Sequence, residues 1–224
     1  MQTSNNEGKK VLLRVSNLKQ YFPLKKKGLY VKANDGITLD IYEGETFGLV
    51  GESGCGKSTL FSALAGICRY TGTVLLDGID LRRQKKKHLG KIGFVTQNPQ
   101  DQFIGGTVRQ EIMSSLQENA EKKSEEILRD IHLWRYRDVS PYLLSQGQQR
   151  RLGVAALMAY DCQVLVCDEP TYAQDRSNTT TIMDELCRQA RERQVALIFS
   201  THDRQLATDY SDVVLHLEGG TLHE

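Results

Sequence analysis

Residues 46–59 read Thr-Phe-Gly-Leu-Val-Gly-Glu-Ser-Gly-Cys-Gly-Lys-Ser-Thr. An apolar run, Phe47 to Val50, leads straight into Gly51-x-x-x-x-Gly56-Lys57-Ser58, which is the strand, glycine loop and helix of a phosphate-binding loop. A triphosphate is a dense anion, and backbone N–H groups can ring it only where side chains do not crowd them. Gly51, Gly54 and Gly56 permit the backbone angles this requires. A helix starting near Lys57 aims its free N–H groups and positive dipole end at the phosphates. Lys57 is expected to reach the β- and γ-phosphates, and the Ser58 hydroxyl to ligate Mg²⁺. Glu52, Ser53, Cys55 and Thr59 are the other residues of the 51–59 loop. A glycine-rich strand-to-helix turn could match this pattern by chance, so the downstream residues decide.

The 224 residues carry a formal net charge of +1, with 25% charged and 39% hydrophobic residues. That length suits one large α/β domain, and the charge balance gives no reason to expect nucleic acid or an acidic partner. No stretch approaches the ~20 apolar residues of a membrane span. The polar start, Met1 to Lys10, lacks the pattern of a signal peptide. Five cysteines are scattered without a C-x-x-C pair, so reduced thiols in a cytosolic protein are expected.

Upstream of the loop, Val11 to Leu18 reads as a strand that Tyr21-Phe22-Pro23 interrupts. Lys25-Lys26-Lys27-Gly28 reads as a hairpin tip, and Tyr30 to Ala33 and Ile37 to Ile41 resume strand character. Tyr21 could stack on an adenine, or Tyr21 or Phe22 could simply pack the hairpin. Downstream, Leu60 to Cys68 has helical spacing, Gly72 breaks it, and Thr73 to Leu76 is a strand before the Asp77-Gly78 turn. The basic run Arg82 to Lys87 reads as a solvated helix face. Ile92 to Val95 is a buried-type strand ending at Gln97, and Pro99 excludes continued regular structure. Gln97 could ligate Mg²⁺ through its carbonyl, orient a water, or be a plain polar strand end. Residues 107–139 are mainly helical in pattern, with a second helix placed at Ser124 to Trp134.

Ser145-x-x-Gln148 is a capping box, so a helix starts there with its N-terminus able to face an anion. Val164 to Cys167 followed by Asp168-Glu169-Pro170 describes a buried parallel strand delivering two carboxylates at its C-terminal end, the edge where open α/β sheets bind ligands. Asp168 would hold Mg²⁺, and Glu169 is placed to polarise the water that attacks a γ-phosphate. Thr179 to Arg193 is an amphipathic helix, and Val195 to Phe199 is another strand, with His202 just past it at the same edge. Val213 to Leu217 and Glu218-Gly219-Gly220 close the chain as strand and turn.

GESGCGKST, Gln97, LSQGQ, VLVCDEP and His202, in that order over essentially the whole chain, resemble the ATPase domain of ABC transporters. The resemblance matches residues 51–59 to the Walker A motif, Gln97 to the Q-loop and 144–148 to the signature motif. It matches 164–169 to Walker B, Asp175 to the D-loop and His202 to the switch histidine. The Walker A match adds Glu52, Ser53, Cys55 and Thr59 to the nucleotide contacts. Tyr21 falls where the family places its adenine-stacking aromatic. The implied fold is α/β: a P-loop NTPase core of mainly parallel sheet with flanking helices, an antiparallel β subdomain and a helical signature subdomain. Within a single domain 1–224, these take residues 46–96 with 160–224, about 11–45, and 97–159.

The resemblance implies ATP hydrolysis with ATP and Mg²⁺, with Glu169, His202 and Lys57 as catalytic groups and Ser58, Gln97 and Asp168 as metal ligands. It implies a head-to-tail pair of ATPase subunits, identical or related, with Ser145, Gly147 and Gln148 of one completing the site of the other. Integral membrane subunits are the further partners, which places the chain at the inner face of the cell membrane. Two departures stand out. The signature reads LSQGQ where the family usually has LSGGQ, and Tyr172-Ala173-Gln174-Asp175 replaces the commoner small residue-Leu-Asp. YFPLKKKG resembles peptide and nickel importers; QNPQDQF, LSQGQQRRL and the Gln-Asp pair resemble energy-coupling-factor importers of vitamins and metal ions, which is the favoured subtype. An exporter is an alternative. A soluble ABC protein acting on DNA or ribosomes fits less well: residues 60–143 hold no coiled-coil tract and there is one phosphate loop.

Overall fold

The computed structural model describes residues 9–25, 28–83, 90–96, 98–116, 118–160, 162–172 and 174–223. Strands β1 (Val11–Pro23), β2 (Tyr30–Tyr42), β4 (Thr71–Leu76) and β5 (Ile79–Asp80) form an antiparallel sheet in the order β2-β1-β4-β5. Strands β3 (Thr46–Val50), β6 (Ile92–Val95), β7 (Val164–Cys167), β8 (Ala196–Thr201), β9 (Val213–Glu218) and β10 (Thr221–His223) form the second sheet, ordered β10-β9-β3-β8-β7-β6. Its pairs are parallel except for the edge strand β10. Every residue of β3, β7 and β8 is buried. That explains why these strands read as continuous apolar runs: a parallel sheet is covered on both faces.

The first strand is longer than its spacing suggests. Tyr21-Phe22-Pro23 continues β1, which is bent by register shifts on either side of Leu18 and between Gln20 and Tyr21. Pairing to β4 stops at Lys19, so Pro23 lies where β1 pairs with β2 alone and its missing N–H is tolerated. The Leu24 N–H donates to the Leu29 carbonyl at 2.9 Å and closes the hairpin; Lys26 and Lys27 lie outside the described residues. The segment Thr73 to Leu76, expected in the nucleotide core, instead joins the antiparallel sheet through pairs such as Val15 with Val74.

Six helices are described: α1 (Lys57–Leu64), α2 (Val108–Ser114), α3 (Ala120–Asp130), α4 (Gln146–Ala159), α5 (Arg176–Glu192) and α6 (Arg204–Tyr210). The helix placed at 124–134 by spacing begins and ends four residues earlier, and Trp134 lies in a 3-10 turn, Trp134–Tyr136. His132 at φ +58° turns the chain there. Pro99 does not end regular structure: it opens a 3-10 turn, Pro99–Gln102, where its missing N–H is harmless. Of the basic run, Gln84 to Lys87 lie outside the described residues.

Three apolar clusters bind these elements. Helix α1 sits between the two sheets, with Leu60, Phe61 and Leu64 among the buried residues of β1 to β4. Burying each such side chain stabilises by about 1.5–3 kcal/mol. Helix α4 serves the other two clusters. Its Val154 and Met158 pack with α5 against the parallel sheet, while Leu152, Ala155 and Ala156 pack with α2 and α3. One helix therefore fuses the helical segment to the sheet that carries the acids. Among the described residues no helix is long and apolar enough to cross a membrane, and none of the five cysteines is in a disulfide.

Candidate functional site

The chain leaves β3 at Val50, forms the glycine loop and enters α1 at Lys57, lining a cleft of about 620 Å³. Gly56 is required by two facts at once. Its φ is +108°, and a Cβ there would lie 2.1 Å from the Ala33 carbonyl oxygen, so the loop lies directly on β2. Gly56 is also the N-cap of α1 and makes no side-chain capping bond. The first-turn N–H groups of α1 are thus left for an anion in the cleft.

Lys57 is almost wholly buried, and its Nζ donates to the Gly51 and Glu52 carbonyls at 2.5 and 3.0 Å. Glu169 places Oε1 3.9 Å from that Nζ and Oε2 3.8 Å from His202 Nδ1. Glu169 follows β7 in the left-handed region at φ +46°, a strained setting for a side chain with a Cβ. Its backbone N–H donates to Ser200 Oγ at 2.8 Å, and that hydroxyl donates to Asp168 Oδ1 at 2.7 Å. Ser200 is fully buried on β8, the strand paired beside β7, so sheet register sets both acids. Asp168 is itself 7% exposed. A buried carboxylate held by a hydroxyl at a sheet edge keeps a fixed oxygen for a hard cation.

The predicted residues separate into two groups. Residues 52–59, Glu169 and His202 share the cleft, joined by Tyr172, Gly219 and Gly220, and Gly51 opens the loop. Ser145, Gly147 and Gln148 do not line it. They form the start of α4, where the expected capping box is present: Ser145 Oγ accepts the Gln148 N–H at 3.4 Å and Gln148 Oε1 accepts the Ser145 N–H at 2.9 Å. Asp175 is also outside the cleft and caps α5, its Oδ1 accepting the Asn178 N–H at 2.9 Å. Gln97 lies outside the described residues.

Tyr21 is not among the residues that line the cleft, whereas its neighbour is. Phe22 and its cross-strand partner Val31 line the cleft beside the glycine loop. The Tyr21 hydroxyl bonds Asp35 instead, and Lys32 Nζ lies 5.5 Å from the ring centroid while donating to Asp35 at 2.9 Å. Those bonds from Tyr21 and Lys32 hold the Asp35 carboxyl below its ordinary range. Sequence reasoning missed Phe22 because adjacent strand residues point to opposite sides, and spacing alone does not say which faces the loop. It also missed Ser200, whose signal is a small polar residue following the apolar run Ala196 to Phe199 of the strand next to the acid-bearing one.

Residues 34–172 match the ABC transporter family. YkoD of Bacillus subtilis, an ATP-binding protein named for HMP/thiamine import, is 40% identical over 81% of this chain. The chain spans only 34% of that relative's length. The energy-coupling factor transporter ATP-binding protein EcfA of Methanosphaera stadtmanae is 35% identical over 81% of this chain and 68% of its own. Among solved structures, CbiO1 from Clostridium perfringens, described as part of the ABC transporter complex cbiONQ, superposes with a TM-score of 0.83 at 28% identity. That match covers 96% of this chain and 87% of the other. A dimeric ATP-binding cassette in a post-hydrolysis state, bound to ADP and Pi, gives 0.82 at 25% identity over 95% and 97%. With the phosphate loop, Glu169 and His202 gathered on one cleft of this fold and Asp168 next to Glu169 at the same sheet edge, the chain belongs to the ABC transporter family, whose members hydrolyse ATP to drive transport.

Proposed function

We propose that this chain is the ATP-binding and ATP-hydrolysing subunit of an importer for a small solute, a vitamin or metal ion of the energy-coupling-factor type. The observation that carries the reading is the position of Glu169, between Lys57 and His202 on the wall that holds the phosphate loop. Lys57 and the first-turn N–H groups of α1 bind the β- and γ-phosphates. Glu169 accepts the proton of the attacking water, and His202 hydrogen-bonds the γ-phosphate. Phe22 and Val31 offer the adenine an apolar platform in the place expected of Tyr21.

Ser58 on the cleft wall and Asp168 at the sheet edge fit Mg²⁺, which takes few protein oxygens and completes its shell with phosphate and water; Gln97 is the further candidate ligand. When bound, that ion neutralises charge on the phosphates.

Ser145, Gly147 and Gln148 serve a second subunit in this reading, because they start α4 away from their own cleft. The dimeric cassette among the similar structures supports such a pair. Membrane subunits are the partners for exposed apolar side chains of the helical segment, where Ile104 is 80% and Leu143 77% exposed. That contact would hold the chain at the inner face of the membrane. Likeness to EcfA and to YkoD supports the vitamin and metal-ion subtype. The hairpin sequence YFPLKKKG favours a peptide or nickel importer as the second reading.

The test is Glu169→Gln. With Mg·ATP this variant should bind nucleotide, elute as a stable dimer and release no phosphate. Undiminished hydrolysis would remove Glu169 from the catalytic role, and absence of an ATP-dependent dimer would remove the composite site.

A further inference from the structure

The two departures from the commoner family pattern, Gln146 in the signature and Gln174 before Asp175, touch each other. Gln174 Nε2 donates to Gln146 Oε1 at 3.3 Å, across 28 residues of sequence. Gln146 is the first residue of α4, directly after the Ser145 cap, so its backbone is fixed by the capping box. Gln174 is tied in turn to the acid. The Tyr172 N–H donates to the Glu169 carbonyl at 3.0 Å, and the Gln174 N–H donates to the Thr171 carbonyl at 3.2 Å. These two backbone bonds tie Glu169 to Tyr172 and Thr171 to Gln174, and a side-chain amide bridge carries the link to the N-terminus of the signature helix.

We infer that Gln146 and Gln174 are a pair of positioning residues that hold the signature helix in register with the catalytic acid of the same subunit. The inference rests on the two-subunit site proposed above. In that site the start of α4 meets the partner's nucleotide while Glu169 acts on its own. The bridge then links the two sites of the pair, because an adjustment at Glu169 moves the group that grips the other nucleotide. A glycine at 146 and a leucine at 174 offer no such bond, which gives one reason for both departures to occur in a single chain. The two amides are solvent-accessible, so removing them leaves no buried group unsatisfied and the fold is not at risk.

The experiment is a double-mutant cycle on ATP hydrolysis with Gln146→Ala, Gln174→Ala and the double variant. Each single change should lower kcat about three-fold, the worth of one net hydrogen bond. KM should stay near the parent value, because the bridge sets the closed arrangement rather than nucleotide entry. The double variant should be no worse than either single one, and the thermal midpoints of all three should match the parent. Multiplicative losses, or unchanged kcat, would overturn the pairing. The same three changes placed in the Glu169→Gln background separate this from failure of the two-subunit reading. If ATP still dimerises them while the cycle is additive, only the bridge is wrong; if the Glu169→Gln parent itself stays monomeric, the composite site is wrong.

Discussion

Ser200 stands between the two acids: its hydroxyl donates to Asp168 Oδ1 at 2.7 Å and accepts the backbone N–H of Glu169 at 2.8 Å. A single buried oxygen on β8 thus sets Asp168, the proposed metal ligand, and Glu169, the proposed hydrolytic residue, together. Ser200→Ala leaves a carboxylate oxygen and an N–H without that partner, at a cost of about 1–3 kcal/mol. Turnover should fall about ten-fold, equivalent to about 1.4 kcal/mol in the barrier. ATP affinity should change little, because Ser200 does not line the cleft. Steady-state hydrolysis beside a nucleotide titration checks both, and parent-like turnover would detach Ser200 from the site.

Phe22 and Tyr21 are adjacent but predict opposite outcomes. Removing the ring that lines the cleft, Phe22→Ala, should weaken ATP binding about ten-fold, since base stacking on an aromatic side chain is worth about 1–3 kcal/mol. Tyr21→Ala removes a ring that does not line the cleft, and should leave ATP affinity near the parent value. Fluorescent-nucleotide titrations of the two variants decide between them; the reverse order would restore Tyr21 as the platform.

Gly54 and Gly56 share a left-handed backbone and differ in surroundings. A Cβ at Gly54, φ +82°, meets nothing within 4 Å, whereas one at Gly56 would stand 2.1 Å from the Ala33 carbonyl. Gly54→Ala should therefore cost only the backbone strain, about 1–2 kcal/mol. Gly56→Ala must also push β2 and the loop apart, and should cost more than about 3 kcal/mol together with nucleotide binding. Denaturant unfolding and ATP titration of the pair measure the contrast.

Alkaline pH should loosen the packing of α5 against α6. Burial pushes the Cys187 thiol up from 9.0 to about 11. Burial and the bond to Asp184 push the Tyr210 hydroxyl up from 10.0 to about 12. Both folded values lie above the unfolded ones, so these groups stabilise fully below about pH 9 and the contribution is lost as pH climbs through about 11 to 12. Thermal midpoints followed upward from about pH 8 should decline, and Cys187→Ala should flatten the first part of that decline. An equally steep decline in the variant would show that other groups cause it.

The phosphate loop, the acids and the signature cap were legible because each is a local pattern: a short string fixes strand, turn and helix within a few residues. What could not be read depended on partners distant in sequence. The assignment of Thr73 to Leu76 turned on pairing with β1, more than fifty residues earlier. The choice between Tyr21 and Phe22 turned on a register shift after Gln20. The end of α3 turned on His132, whose left-handed backbone carries no strong sequence signal. The contact of Gln146 with Gln174 joined two oddities that looked independent when read along the chain.

The left-handed backbone at Glu169 has a consequence for selection. A residue without a Cβ would sit there more comfortably, so Glu169→Gly is expected to gain thermal stability while losing hydrolysis. A library enriched only for heat resistance would drift away from the carboxylate proposed to activate the attacking water, which makes that position a tell-tale of whether catalysis is still being used.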